Sequence, residues 1–515
     1  MVIDKKVPVV LYGAGVNARK AFEKIKNQGL VPVCFCDRDK QKQESLCCGI
    51  PVLTIEKAME IYCHFYIYIV AQNTIIRSEI INSIYKLGID KIIIDFNNSL
   101  AVVKIKSTVE KTDNRYTLFL ENEEKFNEKA TMDYLSDEKL EIKYIERGII
   151  LPLRVTHNKH HTGGVCDRKG NFIDGHRVFR NAPNEHSLMF NHDILNAYSI
   201  PDYISYIDET VVYGGVTYNH YGHMIVEGLS RIWFHLENPN ENYKYVFISN
   251  WSEDNIVYDE FYCLLGIKKE NIILLKEPMQ FKKVIVPEQS YYACGPYTEV
   301  AIKTFNAIRD AVKPANHEKV YFTKSRQKIK PSINEEYFEE YFKTNGYEII
   351  SPETLSVSEQ ISVMAGVNEF ATAFGSSQHQ ILFSKNNIKT VIFTLDEHVC
   401  IPDLWINQLR CVDCTMISVG PSFADISIMN FIPRIFLPTQ YWNDYLKYNH
   451  SNYSSDNLKV FKDFSFIFIK ETIKTIIENP EFEKILEHKG FCLNGFLREV
   501  SAFLGNVQND ISSLN

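Results

Sequence analysis

Apolar runs of four to seven residues alternate with helix-period stretches along most of this chain, and that rhythm leaves few folds open. Strands separated by helices must cross over to reach their neighbours, which builds parallel sheets with helices on their faces. The rhythm begins at once. Val7–Tyr12 reads as an apolar strand, Gly13-Ala14-Gly15 as a tight turn, Ala18–Gln28 as a helix, and Val31–Cys36 as a second strand ending at Asp37. Phe65–Ala71 and Lys91–Asp95 add two more strands, so residues 1–98 are expected to form a small Rossmann-like domain. Residues 99–147, rich in Glu, Lys, Asp and Asn, read as a linker carrying at most a solvated helix.

From residue 148 the alternation returns in two halves, 148–299 and 300–440. The first has strands near Tyr245–Ser249 and Lys283–Val286. The second has a helix over Val300–Val312 and strands at Val320–Thr323, Glu348–Ile350, Glu369–Ala373 and Thr390–Thr394. A helical segment, 441–515, closes the chain with Leu493, Phe496, Leu497, Val500, Phe503 and Leu504 at helix spacing.

A length of 515 residues suits three compact units of this kind. The formal net charge of −8 argues against a broad nucleic-acid surface, which needs clustered Lys and Arg, so no nucleic-acid partner is expected. No uncharged apolar stretch reaches the roughly 18–20 residues of a membrane helix. The first residues pass straight from a short apolar run into a glycine turn, unlike a secretory signal. Twelve cysteines without a regular framework read as reduced thiols, which points to a cytoplasmic protein or one at the inner face of the membrane. Cys411-Val-Asp-Cys414 has half the spacing of a zinc knuckle but no second pair nearby, and no metal site is expected.

Gly13-x-Gly15-x-x-Ala18 follows a strand and opens a helix, and Asp37 stands at the end of the next strand. In that context glycines let a backbone approach a diphosphate, and the acid can bind ribose hydroxyls. Retention of the turn for packing alone is the competing reading. The LYGAG turn, the CDRD strand end and Gly49–Leu53 resemble the small Rossmann-like domains found ahead of sugar-nucleotide acetyltransferases. Asp37-Arg38-Asp39 also spells a DxD metal motif, but Asp37 is already accounted for by the Rossmann pattern.

The densest polar pattern lies at Tyr213–Trp233. With a helix beginning near Gly222, Ile225, Leu229, Ile232, Trp233 and Leu236 share an apolar face, while His223, Glu227 and Ser230 fall opposite, with Arg231 at the edge. His223 and Glu227 are i and i+4, so a carboxylate can orient an imidazole that takes a proton from an attacking hydroxyl. A solvated helix face is the alternative. Further on, Lys319, Lys324, Arg326, Lys328 and Lys330 gather five cations without an acid, and Gly375-Ser376-Ser377 offers backbone N–H groups between a strand and a helix. Both suit a departing diphosphate. Glu359 reads as the partner of Ser356 in a capping box, whereas Glu353 is a candidate for donor ribose and His379 for donor contact or capping.

Gly214-Gly215, Asn219-His220, Gly222-His223, Glu227, Arg231 and Trp233 together resemble the signature of glycosyltransferase family 61, in its bacterial capsular and surface-polysaccharide branch. Val320–Arg326, Asn334-Glu335, Gly346–Ile361 and Phe374–Phe383 extend the likeness over roughly residues 148–400, although Thr323-Lys324 stands where that family usually has Ser-Arg. The resemblance implies a GT-B fold, with two Rossmann-like domains facing a cleft, and an inverting transfer without a cofactor from a nucleotide-diphosphate sugar to a glycan or lipid-linked glycan. On that reading His223 is the base and Glu227 its orienting partner. Lys324, Arg326, Glu353, Gly375, Ser376, Ser377 and His379 hold the donor, and Asn219, His220 and Arg231 face the acceptor or the cleft. Peripheral association with a membrane assembly complex and homo-oligomerisation stay open. Two other classes also stand: a nucleotide-sugar oxidoreductase or epimerase working at Gly13, Gly15 and Asp37, and a silent scaffold of a glycan assembly complex. The chain has no Tyr-x-x-x-Lys to support the former.

Overall fold

The computed structural model describes residues 3–62, 64–71, 80–81, 83–84, 87–89, 91–96, 99–105, 116–120, 123–155, 161–173, 204–249, 255–327, 332–394, 401–420, 434–451 and the single positions 453, 467, 469, 470, 473, 474, 495 and 498. The expected stripe from Leu493 to Leu504, and Lys328 and Lys330, lie outside the described residues. The described chain divides into two compact units, the first of Met1–Asp113, Glu124–Val312 and Cys400–Leu409, the second of Asn114–Glu123, Lys313–Val399 and Arg410–Asn515.

Among the described residues the first unit holds two large sheets and one two-stranded pair. Strands β1 (Val9–Tyr12), β2 (Pro32–Cys36), β3 (Leu46–Cys47), β4 (Ile50–Leu53), β5 (Tyr66–Ile69), β6 (Lys91–Phe96), β7 (Ser99–Ile105) and β9 (Met132–Asp133) order as β3-β4-β2-β1-β5-β6-β7-β9. β4, β2, β1, β5 and β6 run parallel, β7 is antiparallel to β6, and β9 is antiparallel to β7. The helix Ala18–Asn27 covers this sheet with Ala18, Ala21 and Ile25, which pack among Val9, Leu11 and Phe35.

The segment read as a linker is therefore corrected. Ser99–Ile105 hairpins onto β6, a helix spans Glu123–Ala130, and further strands follow. Ser99–Ile105 is itself mostly apolar, SLAVVKI, with Leu100 and Val102 buried.

The second sheet contains β11 (Ile142–Glu146), β12 (Ile149–Val155), β13 (His161–Cys166), β14 (Ser205–Val216), β15 (Lys244–Ile248), β16 (Ile272–Leu274) and β17 (Met279–Pro287). β14 has β15 parallel on one side and β17 parallel on the other. Its second half, Val211–Val216, is buried on both faces, as helix-covered parallel strands are. A short bridge joins β10 (Leu135–Ser136) to β18 (Tyr297–Thr298).

The second unit is built on one parallel sheet: β21 (Glu348–Ile350), β19 (Lys319–Phe322), β22 (Glu369–Ala373), β23 (Lys389–Thr394), β24 (Asp413–Ser418) and β8 (Tyr116–Phe119), in that order. β20 (Ser332–Ile333) pairs with β25 (Arg434–Ile435) beside it. Its core is aromatic, with the Phe338 ring 4.9 Å from Trp442 and 5.0 Å from Phe393. Edge-to-face pairs like these add about 0.5–1.5 kcal/mol each beyond area burial. The chain is thus an α/β protein of several parallel sheets.

Each sheet has a point where successive crossovers leave in opposite directions: between β1 and β5, between β14 and β17, and between β19 and β22. The carboxyl ends of strands at such points are where open α/β sheets bind ligands.

Candidate functional site

The segment after β14 departs from a plain helix. Tyr221–His223 is one α-helical turn, Met224–Gly228 is π-helical, and Trp233–Glu237 resumes the α-helix. A π turn bonds i to i+5 and widens the spiral, so the 100° step of an α-helix does not apply. All residues from Met224 to His235 are buried, and Glu227 is 2% exposed. The alternative of a solvated helix face is corrected accordingly: from Met224 to His235 the element is buried all round, with Glu227, Ser230 and Arg231 enclosed in protein.

The expected pair does meet. His223 Nδ1 lies 2.6 Å from Glu227 Oε2, with the carboxylate wholly buried and the imidazole about one-third exposed. The Tyr218 and His220 rings lie 5.7 and 4.6 Å from the His223 ring. His220 caps the turn, its Nδ1 accepting from the His223 N–H, and it is itself exposed, with Asn219 half-buried beside it. With Nδ1–H donating to the carboxylate, the lone pair of the imidazole sits on Nε2.

What fixes this dyad comes from the end of β17 and the residues that follow it. The Arg231 guanidinium donates to Pro287 O, Trp233 Nε1 donates to Glu288 O at 2.8 Å, Ser290 Oγ donates to Ser230 O at 2.9 Å, and Tyr291 Oη donates to Ile225 O at 2.5 Å. Arg231, expected toward acceptor or cleft, is instead 2% exposed and lies over the Tyr213 ring at 5.5 Å. Burial lowers its pKa and raises that of Tyr213 to about 12.

The two glycines before the turn make room for these neighbours. A Cβ on Gly214 would lie 2.2 Å from the Phe247 ring, and Gly215, at φ +91°, would meet the Arg231 side chain at 3.2 Å. Phe247 lies outside the motif, and although Arg231 is part of it, the spacing did not show that its side chain folds back over Gly215.

In the second unit the turn after β19 is held by two buried acids. Glu335 accepts from Tyr321 Oη at 2.8 Å and from the Lys324 N–H at 3.0 Å, and Glu339 accepts from Thr323 Oγ1 and Ser325 Oγ, both at 2.5 Å. Burial pushes Glu335 up to about 7, against the pull of Tyr321 and Lys324. Lys324 is buried, and its ammonium donates to Phe374 O at 2.8 Å and Ala373 O at 3.5 Å. The cation thus reaches the end of β22, one peptide before Gly375.

The structure therefore brings together two pieces the sequence only suggested: Lys324 and the Gly375-Ser376-Ser377 turn. That turn, with Gly375 at φ +108°, leads into a 3-10 helix, Gln378–Phe383, rather than an α-helix. Gln378 N donates to Gly375 O at 2.8 Å, Ser377 is buried and His379 is half-buried. Arg326 and Glu353 are exposed. Glu359 forms the expected capping box, its carboxylate accepting from Ser356 N at 2.7 Å while Ser356 Oγ accepts from Glu359 N at 3.2 Å. Glu335, Glu339 and Gln378 were not singled out as site residues. Gln378 is fully buried beside the turn with neither amide atom hydrogen-bonded.

In the N-terminal sheet, Gly13 and Gly15 line a cavity with Asp37, whose Oδ2 accepts from Ala14 N at 2.8 Å. Cys414 is buried in β24 and Cys411 half-buried before it. Among the described residues no group of three or more His, Cys, Asp or Glu is placed to share a metal, and no helix is long and apolar enough to cross a membrane.

Residues 221–392 match the family model described as Glycosyltransferase 61, which bears out the resemblance read from His223, Glu227, Arg231 and Trp233. The matched segment starts at the His223 turn and ends within β23, so it takes in Lys324, Glu335 and the Gly375 turn. No curated protein matches the chain.

Proposed function

From the premise that residues 221–392 are a glycosyltransferase family 61 segment, we propose that this protein moves a sugar from a nucleotide-diphosphate donor to a glycan acceptor with inversion. The observation that carries the reading is the His223–Glu227 dyad, seated directly after the carboxyl end of β14 with its carboxylate buried and its imidazole accessible.

Transfer is one displacement. His223 Nε2 takes the proton of an acceptor hydroxyl as that oxygen attacks the anomeric carbon. The bond from that carbon to the diphosphate oxygen breaks, and the electron pair leaves with the nucleoside diphosphate. Glu227 holds the imidazole in the right tautomer and stabilises the imidazolium that forms. The arriving charge on the diphosphate is met by Arg326, by the Gly375–Ser377 backbone and, from below the turn, by Lys324. Glu353 and His379 are the candidates for ribose and donor contact, and Asn219 and His220 for the acceptor. Neutralisation by side chains and backbone makes no demand for a metal.

The sheets carrying β14 and β19 are, on this reading, the two halves of a GT-B architecture, and the product belongs to a capsular or surface polysaccharide made on the cytoplasmic side. A screen of nucleotide sugars for released nucleoside diphosphate tests the proposal, with His223→Ala as control. Release from no donor by wild type, or equal release by His223→Ala, would overturn it.

A further inference from the structure

The transfer reaction leaves the N-terminal sheet unused, yet that sheet carries a built cavity. A space of about 320 Å3 opens at the switch point between β1 and β5, lined by Gly15, Val16, Asp37, Arg38, Lys42 and Val70 among others. Among the described residues nothing lies within 4 Å of the position a Gly15 Cβ would take, so the backbone there is open to an approaching group. Val16, beside it, is 101% exposed and offers an apolar edge at the mouth.

The acid at the end of β2 does something other than greet a ribose diol with two open oxygens. Asp37 accepts from Ala14 N at 2.8 Å, Asp39 N at 3.0 Å and Lys42 Nζ at 3.2 Å, three of its roughly four acceptor positions. Burial alone would raise its pKa, but these donors lower it, so the carboxylate is ionised, closes the glycine turn and tethers Lys42 at the cavity. Among the charged lining residues two cations then stand against one carboxylate. A phosphate is the group that fits between such cations and an open glycine backbone.

Size narrows the ligand further. Small-molecule sites run from about 300 to 1,000 Å3, and this one is at the lower end, which suits a mononucleotide. We infer that this cavity is a second nucleotide site, separate from the transfer site, that takes one nucleoside diphosphate with Arg38 and Lys42 as its counter-charges.

Calorimetric titration of the full chain with UDP, GDP, ADP and NAD+ in turn tests this. At least one of the three diphosphates should show a binding event that Gly15→Asp abolishes and Lys42→Ala weakens by about tenfold or more. The Lys42 side chain is 41% exposed and lies outside the core, so that variant decides the matter if Gly15→Asp fails to fold. Lys324→Met should leave the event intact. A failure of the transfer reading would look different: the Gly15-dependent event would persist while no Lys324-dependent one appeared. The inference is overturned if no diphosphate binding responds to Gly15→Asp or Lys42→Ala, or if NAD+ takes that site in preference to every diphosphate.

Discussion

Replacing Glu227 by glutamine tests the dyad with the least disturbance to the fold. The amide has the shape of the carboxylate and can still accept from His223 Nδ1, so what is lost is charge. A full positive charge on the imidazole 2.6 Å from the carboxylate would be stabilised by at most about 6 kcal/mol at an effective dielectric near 20. Water at the exposed third of the ring and incomplete proton transfer in the transition state bring that to about 3 kcal/mol, or about 10²-fold in turnover.

Glu227→Gln should therefore lower kcat about 10²-fold, leave the donor KM nearly unchanged and keep a native circular dichroism spectrum. His223→Ala should lower turnover by about 10²–10⁴-fold. The double variant discriminates between roles: if Glu227 acts only through His223, it should be no slower than His223→Ala alone. A folded Glu227→Gln enzyme within threefold of wild type would refute the reasoning, as would a further tenfold loss in the double variant.

Other consequences are open to simpler measurements. Leu229→Ala, a truncation at a fully buried position, should cost about 2–5 kcal/mol in denaturant unfolding. Gly214→Ala drives a methyl into the Phe247 ring and should lower the melting temperature by overpacking worth about 1–3 kcal/mol or more; an unchanged melting curve would show that β14 and β15 can separate there. Glu335 is held in the fold at about 7, above its ordinary 4.5. Between those values the folded state binds more protons than the unfolded one, so wild-type stability should fall as pH rises from about 4.5 through about 7 relative to Glu335→Gln. Added chelator should leave donor turnover unchanged; loss restored by Mn2+ would require a metal in the mechanism.

The strand and helix rhythm was legible because parallel, helix-covered strands are apolar along their length: Glu348–Ile350 and Glu369–Ala373 begin and end where their residues suggest. The pairing of His223 with Glu227 was legible from spacing, and the Ser356–Glu359 cap from its two residues. The burial around them was not. The apolar stripe Ile225, Leu229, Ile232 implied an open opposite side, but the π turn and the residues after β17 close it. Lys324 was read as a diphosphate-holding cation in a basic run, with nothing to mark it as buried. Its burial depends on Ala373 and Phe374, about fifty positions away, and no local pattern announces such a partner. Residues 99–147 misled because the charged residues from Lys106 onward dominate the composition and hide the apolar run Leu100–Val103 at the start of the segment.

The bonds from residues 287–291 back to Ile225, Ser230, Arg231 and Trp233 give the motif a second author in the chain. Anyone moving residues 213–233 into another scaffold, or shuffling segments between relatives at a junction near 250–280, would carry the imidazole and its carboxylate but leave behind what sets their angle. The unit of exchange is the pair of stretches, and a chimera should keep or replace both together.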